Sequence, residues 1–461
     1  MKLKLTATSA LLLALAGAIT TVQADDQTEI IRRLEERITL LDQKVRVLER
    51  RDELDREAAA AKIKTTPSIS IGASGFNIQS ADSNFVAQIH GLVQVDNRTF
   101  FGDKIQGNDS IVLRRVRPIF SGTLFKDFDY QLVPEFGGST PSIVDAYLNY
   151  RYEPWLQLRA GRFKVPVGLE QIQSDTVTAF QERSLVTSLV PNRDLGFQFW
   201  GDIKNGAVSY AVGVFNGVGD ARNSANSDFE DNREVAGRLF FQPFKNSTKL
   251  ALQGFGFGVG ASYGKTTTNA TGLPNNNGFA TDGQQTFFSY TNGVVANGDH
   301  LRVSPQAYYY YGPFSLLGEY AISEQRVSRG TAPLTSRTLR HTGWGVTAGW
   351  VLTGEAASFT GVTPRKAFNL HEGGLGAFQL VGRYATLDID DAAFLGYASS
   401  TASASEARAW GVGLNWYLNK DLRISTSYSH TDFSGYSGIA LTGATVRKPE
   451  EVWFTRVQLS F

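Results

Sequence analysis

From Phe85 to Phe461 the dominant pattern is alternation of apolar and polar residues with a period of two. Successive side chains of a strand point to opposite faces, so each such segment carries one apolar and one polar face. Phe85, Ala87, Ile89, Gly91, Val93 and Val95 interleave with Gln88, His90, Gln94, Asp96 and Arg98. Val116, Pro118, Phe120 and Leu124 interleave with Arg115, Arg117, Ser121 and Thr123. The last segment repeats the pattern: Trp453, Val457, Leu459 and Phe461 stand against Arg456, Gln458 and Ser460. About sixteen such segments follow one another.

Their connections fall into two classes in turn. Lys126-Asp127, Glu153-Pro154-Trp155, Lys204-Asn205-Gly206, Gly312-Pro313 and Asn419-Lys420-Asp421 are short. The stretches 99–109, 165–194, 217–232, 264–300, 325–339, 389–405 and 434–450 are long. One connection, 353–375, is long where parity asks for a short one. An even-stranded meander with alternating short and long connections is the arrangement of a transmembrane β-barrel, turns on the periplasmic side and loops outside. The expected fold is therefore all-β: a sixteen-stranded antiparallel transmembrane β-barrel preceded by a short coiled-coil helix. A one-residue slip in the second strand would turn Arg115 and Arg117 to lipid at a cost of about 4–8 kcal/mol, so the arginines face the lumen. Trp155, Trp200, Trp350, Trp416 and Trp453 lie near strand ends and suit interfacial girdles. A barrel of this size is too wide to be plugged by wall side chains and leaves an aqueous channel.

Averages conceal this pattern: the 461 residues are 42% hydrophobic and 19% charged, with a formal charge of +1. The near-neutral charge argues against a nucleic-acid partner. The absence of cysteine excludes a disulfide scaffold, a thiolate metal site and a cysteine nucleophile. Residues 1–24, with Lys2 and Lys4, the apolar stretch Leu11 to Ala18 and the small-residue site Val22-Gln23-Ala24, read as a secretory signal peptide. In 25–61, Ile31, Leu34, Ile38, Leu41, Val45 and Leu48 form an a/d stripe, too short to be stable alone but able to join copies already held together. The stripe's β-branched a positions favour a dimer. The runs Arg37 to Asp42 and Lys44 to Glu49, by contrast, resemble a trimer motif. Residues 62–83 read as a linker with a strand at Ile69 to Ile71, and 84–461 as the barrel.

Several motifs resemble the phosphate-selective porin O/P family of Gram-negative outer membranes. They are Leu113-Arg114-Arg115-Val116-Arg117-Pro118, Gly122 to Tyr130, Arg159-Ala160-Gly161-Arg162-Phe163-Lys164-Val165-Pro166-Val167-Gly168-Leu169-Glu170, Glu182-Arg183-Ser184-Leu185, Val190 to Gly196 and Val351 to Glu355. The resemblance covers nearly all of 85–461 and implies a homotrimer in outer-membrane lipid, lumen-folded loops and an arginine-rich path for small, phosphate-like anions. It also accounts for the long 353–375 connection, which members carry after the Leu-Thr-Gly-Glu motif, and for Phe461 as a C-terminal assembly signal.

The phase of the strands puts Arg115, Arg117, Arg151, Arg159, Arg238, Arg302, Arg383, Arg423 and Arg456 inward, against Asp96, Asp129, Glu135, Asp145, Glu234 and Glu319. Two clusters stand out as an anion path: Arg114, Arg115 and Arg117, and Arg159, Arg162 and Lys164. An arginine's planar fork shares hydrogen bonds with an oxyanion and stays charged at any working pH. The stretch 165–194 is expected to constrict the lumen, burying Leu169, Phe180, Leu185, Leu189 and Val190 and turning Arg183 and Arg193 toward the passage. The competing reading pairs these arginines with lumenal acids as wall structure, giving a weakly selective general diffusion pore. A remote third is a barrel enzyme using His430 and a neighbouring serine, and the helix is also suited to cell-wall contact. No cofactor or metal pattern is present: His90, His300, His341, His371 and His430 lack ligand spacing.

Overall fold

A computed structural model describes residues 24–72, 75–102, 107–138, 140–224, 231–267, 278–329, 335–435 and 447–461. Of the expected signal peptide, 1–24, residues 1–23 lie outside the described residues and Ala24 opens the first helix. The chain divides into two units, 1–67 and 68–461. The first is a helix, α1 (Ala24–Thr65), which runs past the expected end at residue 61. Its stripe residues Ile31, Leu34, Ile38, Leu41, Val45 and Leu48 are all exposed. The ion pairs Arg33–Glu29 (3.2 Å) and Arg46–Asp42 (2.9 Å) join positions one turn apart on its surface.

The second unit opens with a hairpin, β1 (Ser68–Gly72) and β2 (Gly75–Gln79), inside the stretch expected to be a linker. There follow β3 (Val86–Phe101), β4 (Ser110–Leu124), β5 (Phe128–Glu135), β6 (Ser142–Glu153), β7 (Leu156–Lys164), β8 (Arg193–Ile203) and β9 (Val208–Phe215). Next come β10 (Glu234–Phe241), β11 (Phe255–Thr267), the short pair β12 (Phe279–Ala280) and β13 (Thr286–Phe288), β14 (Val294–Tyr311), β15 (Phe314–Arg329) and β16 (Thr335–Val351). The chain ends with the short pair β17 (Ala357–Ser358) and β18 (Gly361–Val362), then β19 (Ala377–Asp388), β20 (Glu406–Tyr417), β21 (Leu422–Ser434) and β22 (Glu450–Ser460). Among the described residues sixteen strands, β3–β11, β14–β16 and β19–β22, pair antiparallel with their neighbours, and β22 pairs with β3 to close the barrel. Strand β2 extends the wall along the start of β3, where β22 has ended. Phe461 exchanges two backbone hydrogen bonds with Gly91 (2.9 and 3.1 Å), and a Cβ on Gly91 would meet its ring at 2.6 Å.

The two faces have the polarity that alternation requires. On β22 Trp453, Val457 and Leu459 are exposed outward while Arg456 and Gln458 are buried inward. Ile111, Leu113, Leu148, Phe197, Phe199, Val212 and Val259 continue the apolar outer surface. No helix among the described residues is long and apolar enough to cross a membrane. Four of the five tryptophans expected in girdles fit that place. Trp200 does not: Phe197 and Phe199 take the outer face of β8, and Trp200 points into the lumen, donating to Asn149 at 2.8 Å.

The lumen is filled from both ends. The connection between β7 and β8 folds inward through a helical turn at Leu169–Ile172 and a 3-10 turn at Leu185–Leu189. Leu169, Phe180, Leu185, Leu189 and Val190 are each at most 3% exposed, as expected of an inward-folding loop. Two further segments join it without having been anticipated. Phe279, Phe287 and Phe288 from the β11–β14 connection, and Ile389, Ala393, Tyr397, Ala398 and Ala404 from the β19–β20 connection, share one core with Leu185, Val186, Leu189 and Val190. From the opposite end, Ala357 and Val362 of the β16–β19 connection pack with Val351, Ala377 and Tyr417, and Phe359 stacks on Tyr308 at 5.5 Å. The amide of Gln173 donates to the Phe359 carbonyl at 2.9 Å, so the two inserts meet. Space remains along the β3–β10 side.

Candidate functional site: a cationic chamber beside a clamped loop

The loop between β7 and β8 is fastened to the wall by its acids. Asp175 is the hub: its carboxylate contacts Arg117, and pairs with Arg183 at 2.6 Å, Arg115 at 3.4 Å and Arg193 at 3.8 Å. Glu182 receives both prongs of Arg114 (2.6 and 3.0 Å) and lies 3.4 Å from Arg456 and 3.6 Å from Arg98. Burial alone raises the Asp175 carboxyl, but Arg115, Arg183, Lys164 and Arg117 outweigh it and hold the group well below the usual carboxylate range. Burial also raises Glu182, and Arg114 and Arg456 again reverse the balance and hold it below that range. On the far wall Arg383 reaches Asp282 at 2.7 Å and the Glu182 carbonyl at 2.8 Å, with its guanidinium 4.4 Å above the Phe180 ring.

A β-bulge makes the Arg114 contact available. Gln94 pairs with Arg115 but Val95 pairs with Leu113, so Arg114 is an extra residue without a partner on β3. In a regular strand it would share the outer face with neighbouring alternate positions. The bulge re-aims it and lets three arginines of four consecutive residues serve the lumen. The loop's entry is equally tight: a Cβ on Gly260 of β11 would stand 2.1 Å from the Val167 carbonyl. Gln306 donates to that same carbonyl at 2.8 Å and accepts from Arg238 at 2.8 Å.

The predicted path residues therefore divide. Arg114, Arg115, Arg117, Arg183 and Arg193 are engaged with carboxylates; Arg193 forks onto Asp145 at 2.9 and 3.2 Å, and Arg183 also holds the Glu170 and Gln173 carbonyls. Arg162 sits on the register row of Ala146 and Leu195 and donates to the Ser224 carbonyl at 2.6 Å. Arg159 and Lys164 differ, and Arg238 joins them. All three line a cavity of 480 Å³ on the β3–β10 side of the loop, and among the described residues none has a carboxylate within 4.0 Å. Arg159 lies between Tyr147 (4.6 Å) and Trp200 (4.8 Å), Arg238 lies 4.3 Å above Phe240, and Lys164 donates to the Gln173 carbonyl at 2.5 Å. The other cations of the cavity, Arg117 and Arg193, are matched by Asp175 and Asp145; Asp202 at its margin is exposed and accepts from Ser209. Phase alone had placed Arg238 inward, but nothing in the sequence marked it as part of the path. Asp175 and Glu182 carry no such mark in the sequence because most of their partners, Arg114, Arg115, Arg117 and Arg456, lie on strands distant in sequence.

Comparison with known proteins agrees with this architecture. The family model for phosphate-selective porin O and P matches residues 87–439. Porin O of Pseudomonas aeruginosa is 23% identical over 388 residues, 77% of this chain and 84% of its own length. Among solved structures, the outer membrane channel DcaP of Acinetobacter baumannii superposes with a TM-score of 0.53 at 10% identity, covering 84% of this chain and all of that one. OmpT, an outer membrane protein of Vibrio cholerae, gives 0.50 at 9% identity over 82% of this chain and 98% of that one. A closed barrel with an apolar belt, a lumen-folded loop and a family match over most of the chain lead to one assignment: the protein belongs to the phosphate-selective porin O and P family, in the outer membrane of a Gram-negative bacterium.

Proposed function

We propose that the barrel is a channel for passive diffusion of small anions, phosphate-like oxyanions among them, and that the ions pass through the chamber holding Arg159, Lys164 and Arg238. The observation that carries this reading is the charge imbalance there: two arginines and a buried lysine, none with a carboxylate partner among the described residues, face a single exposed acid, Asp202. Fixed cations along an aqueous path replace part of an anion's hydration, and several weak sites in series let it leave again. The description of the family whose model matches residues 87–439 includes phosphate selectivity, and Porin O is among the relatives of this chain.

The helix α1 is proposed to join copies of the chain, three in the assembly the family suggests. Its a/d stripe is exposed throughout, and the partner of matching chemistry is the same stripe on another copy. A second reading, a weakly selective diffusion pore, is favoured by the pairing of Arg114, Arg115, Arg117 and Arg193 with acids. Zero-current potentials of the purified protein in planar bilayers under a KCl gradient separate the two. Chloride preference with block of the current by millimolar phosphate supports the first. A potential near zero supports the second, and cation preference refutes both.

A further inference from the structure

The chamber's walls are unlike those of a site built for an inorganic ion alone. Arg159 is flanked by Tyr147, Trp200 and Phe163 at 4.6, 4.8 and 5.5 Å, and its buried Nε has no hydrogen-bond partner among the described residues. Lys164 spends one N–H on Gln173, and the Nε of Arg238 is spent on Gln306, leaving both with donors to offer. A volume of 480 Å³ lies within the range of pockets that hold whole organic ligands, about 300–1,000 Å³. A water takes about 30 Å³ of liquid, so a bare oxyanion would leave most of the chamber to solvent.

Aromatic and aliphatic walls with a few convergent cations match a solute that has both an apolar body and an anionic head. Its head meets Arg159, Lys164 or Arg238, while its body replaces loosely held water against the rings. We infer that this chamber is a binding site for small organic anions, carboxylates carrying a flat apolar body, in preference to inorganic phosphate. The inference rests on the anion conduction proposed above and adds to it the class of solute.

The test uses the full-length protein in planar bilayers with chloride as the current carrier. Benzoate, acetate and inorganic phosphate are each titrated as blockers, and the zero-current potential is recorded in the same membranes. Benzoate is expected to reach half-block at a concentration about tenfold lower than acetate or phosphate, a difference of about 1.4 kcal/mol. Arg159→Gln and Trp200→Leu should each erase most of that advantage, and either one suffices if the other fails to assemble. Chloride preference combined with equal or stronger block by phosphate overturns the organic-anion site and leaves the anion channel standing. Cation preference overturns both. Benzoate block that persists unchanged in both variants places its site elsewhere and likewise overturns the inference.

Discussion

Replacing Asp175 with Asn removes the one carboxylate that faces Arg115, Arg117, Arg183 and Arg193 together. Two of these keep another acid, Glu135 for Arg117 and Asp145 for Arg193. Arg115 and Arg183 keep only neutral partners: Gln94 at 2.6 Å for the first, the Glu170 and Gln173 carbonyls for the second. Breaking a buried pair from one side costs about 3–5 kcal/mol at most sites. The apolar attachment of the same loop is larger. Leu169, Phe180, Leu185, Val186, Leu189 and Val190 are buried, at about 1.5–3 kcal/mol each, which gives about 9–18 kcal/mol. That is an upper bound, because an undocked loop already hides part of this surface. The comparison decides the outcome: the loop stays docked while the lumen gains net positive charge. A unit charge met at about 4 Å in water is worth about 1 kcal/mol, so the chloride-to-potassium permeability ratio should rise by about fivefold. Zero-current potentials report the ratio and single-channel conductance reports the docking. A large jump in conductance would mean that ion pairs, not apolar burial, hold the loop. An unchanged ratio would mean that ions do not pass near Asp175.

Three further outcomes follow from other parts of the molecule. Gly260→Val places carbons where the Val167 carbonyl now lies, an overpacking cost of about 1–3 kcal/mol, and should give noisier, larger single-channel conductance as the loop entry shifts. The loop's acids set the acid limit of the channel. Because Asp175 and Glu182 are held below the usual carboxylate range, their stabilisation is complete above the unfolded-state values and is lost only as pH falls through the lowered native ones. The selectivity difference between the parent and Asp175→Asn should therefore be constant from neutrality to about pH 4 and shrink only in stronger acid; loss of that difference between pH 5 and 7 would contradict the ion-pair account. Ile38→Asp with Leu41→Asp introduces charge into the α1 stripe and should weaken the assembly on native gels while the pores still conduct; an unaltered oligomer would show that the helix does not join copies.

The barrel was legible because one physical constraint dominates it. An arginine cannot face lipid cheaply, so Arg115, Arg117 and Arg456 set the phase of their strands, and alternation then sets every neighbour. The inward loop was legible for a related reason, since Phe180, Leu185 and Leu189 in a long connection have to be buried somewhere. Local exceptions were not. The bulge at Arg114 depends on how β3 and β4 slide past one another, which no run of residues records. Trp200 has the composition of a girdle residue, but its alternation with Phe197 and Phe199 puts it on the lumen face. Above all, pairing decides which cations remain available. Arg183 and Arg159 look equally promising in the sequence, but one meets Asp175 and the other meets two aromatic rings.

Because the chain has no cysteine, single thiols can be placed in it without background. Arg159→Cys, Lys164→Cys and Arg238→Cys put a thiol in the chamber, and Leu148→Cys puts one on the outer face. Each variant is treated in a planar bilayer with a small methanethiosulfonate carrying either a negative or a positive charge. At the three chamber positions the negative reagent should lower chloride current and shift the zero-current potential toward potassium, and the positive reagent should oppose both changes, with no response at Leu148→Cys. Chloride current indifferent to the charge attached at all three chamber positions would contradict the assignment of the anion path.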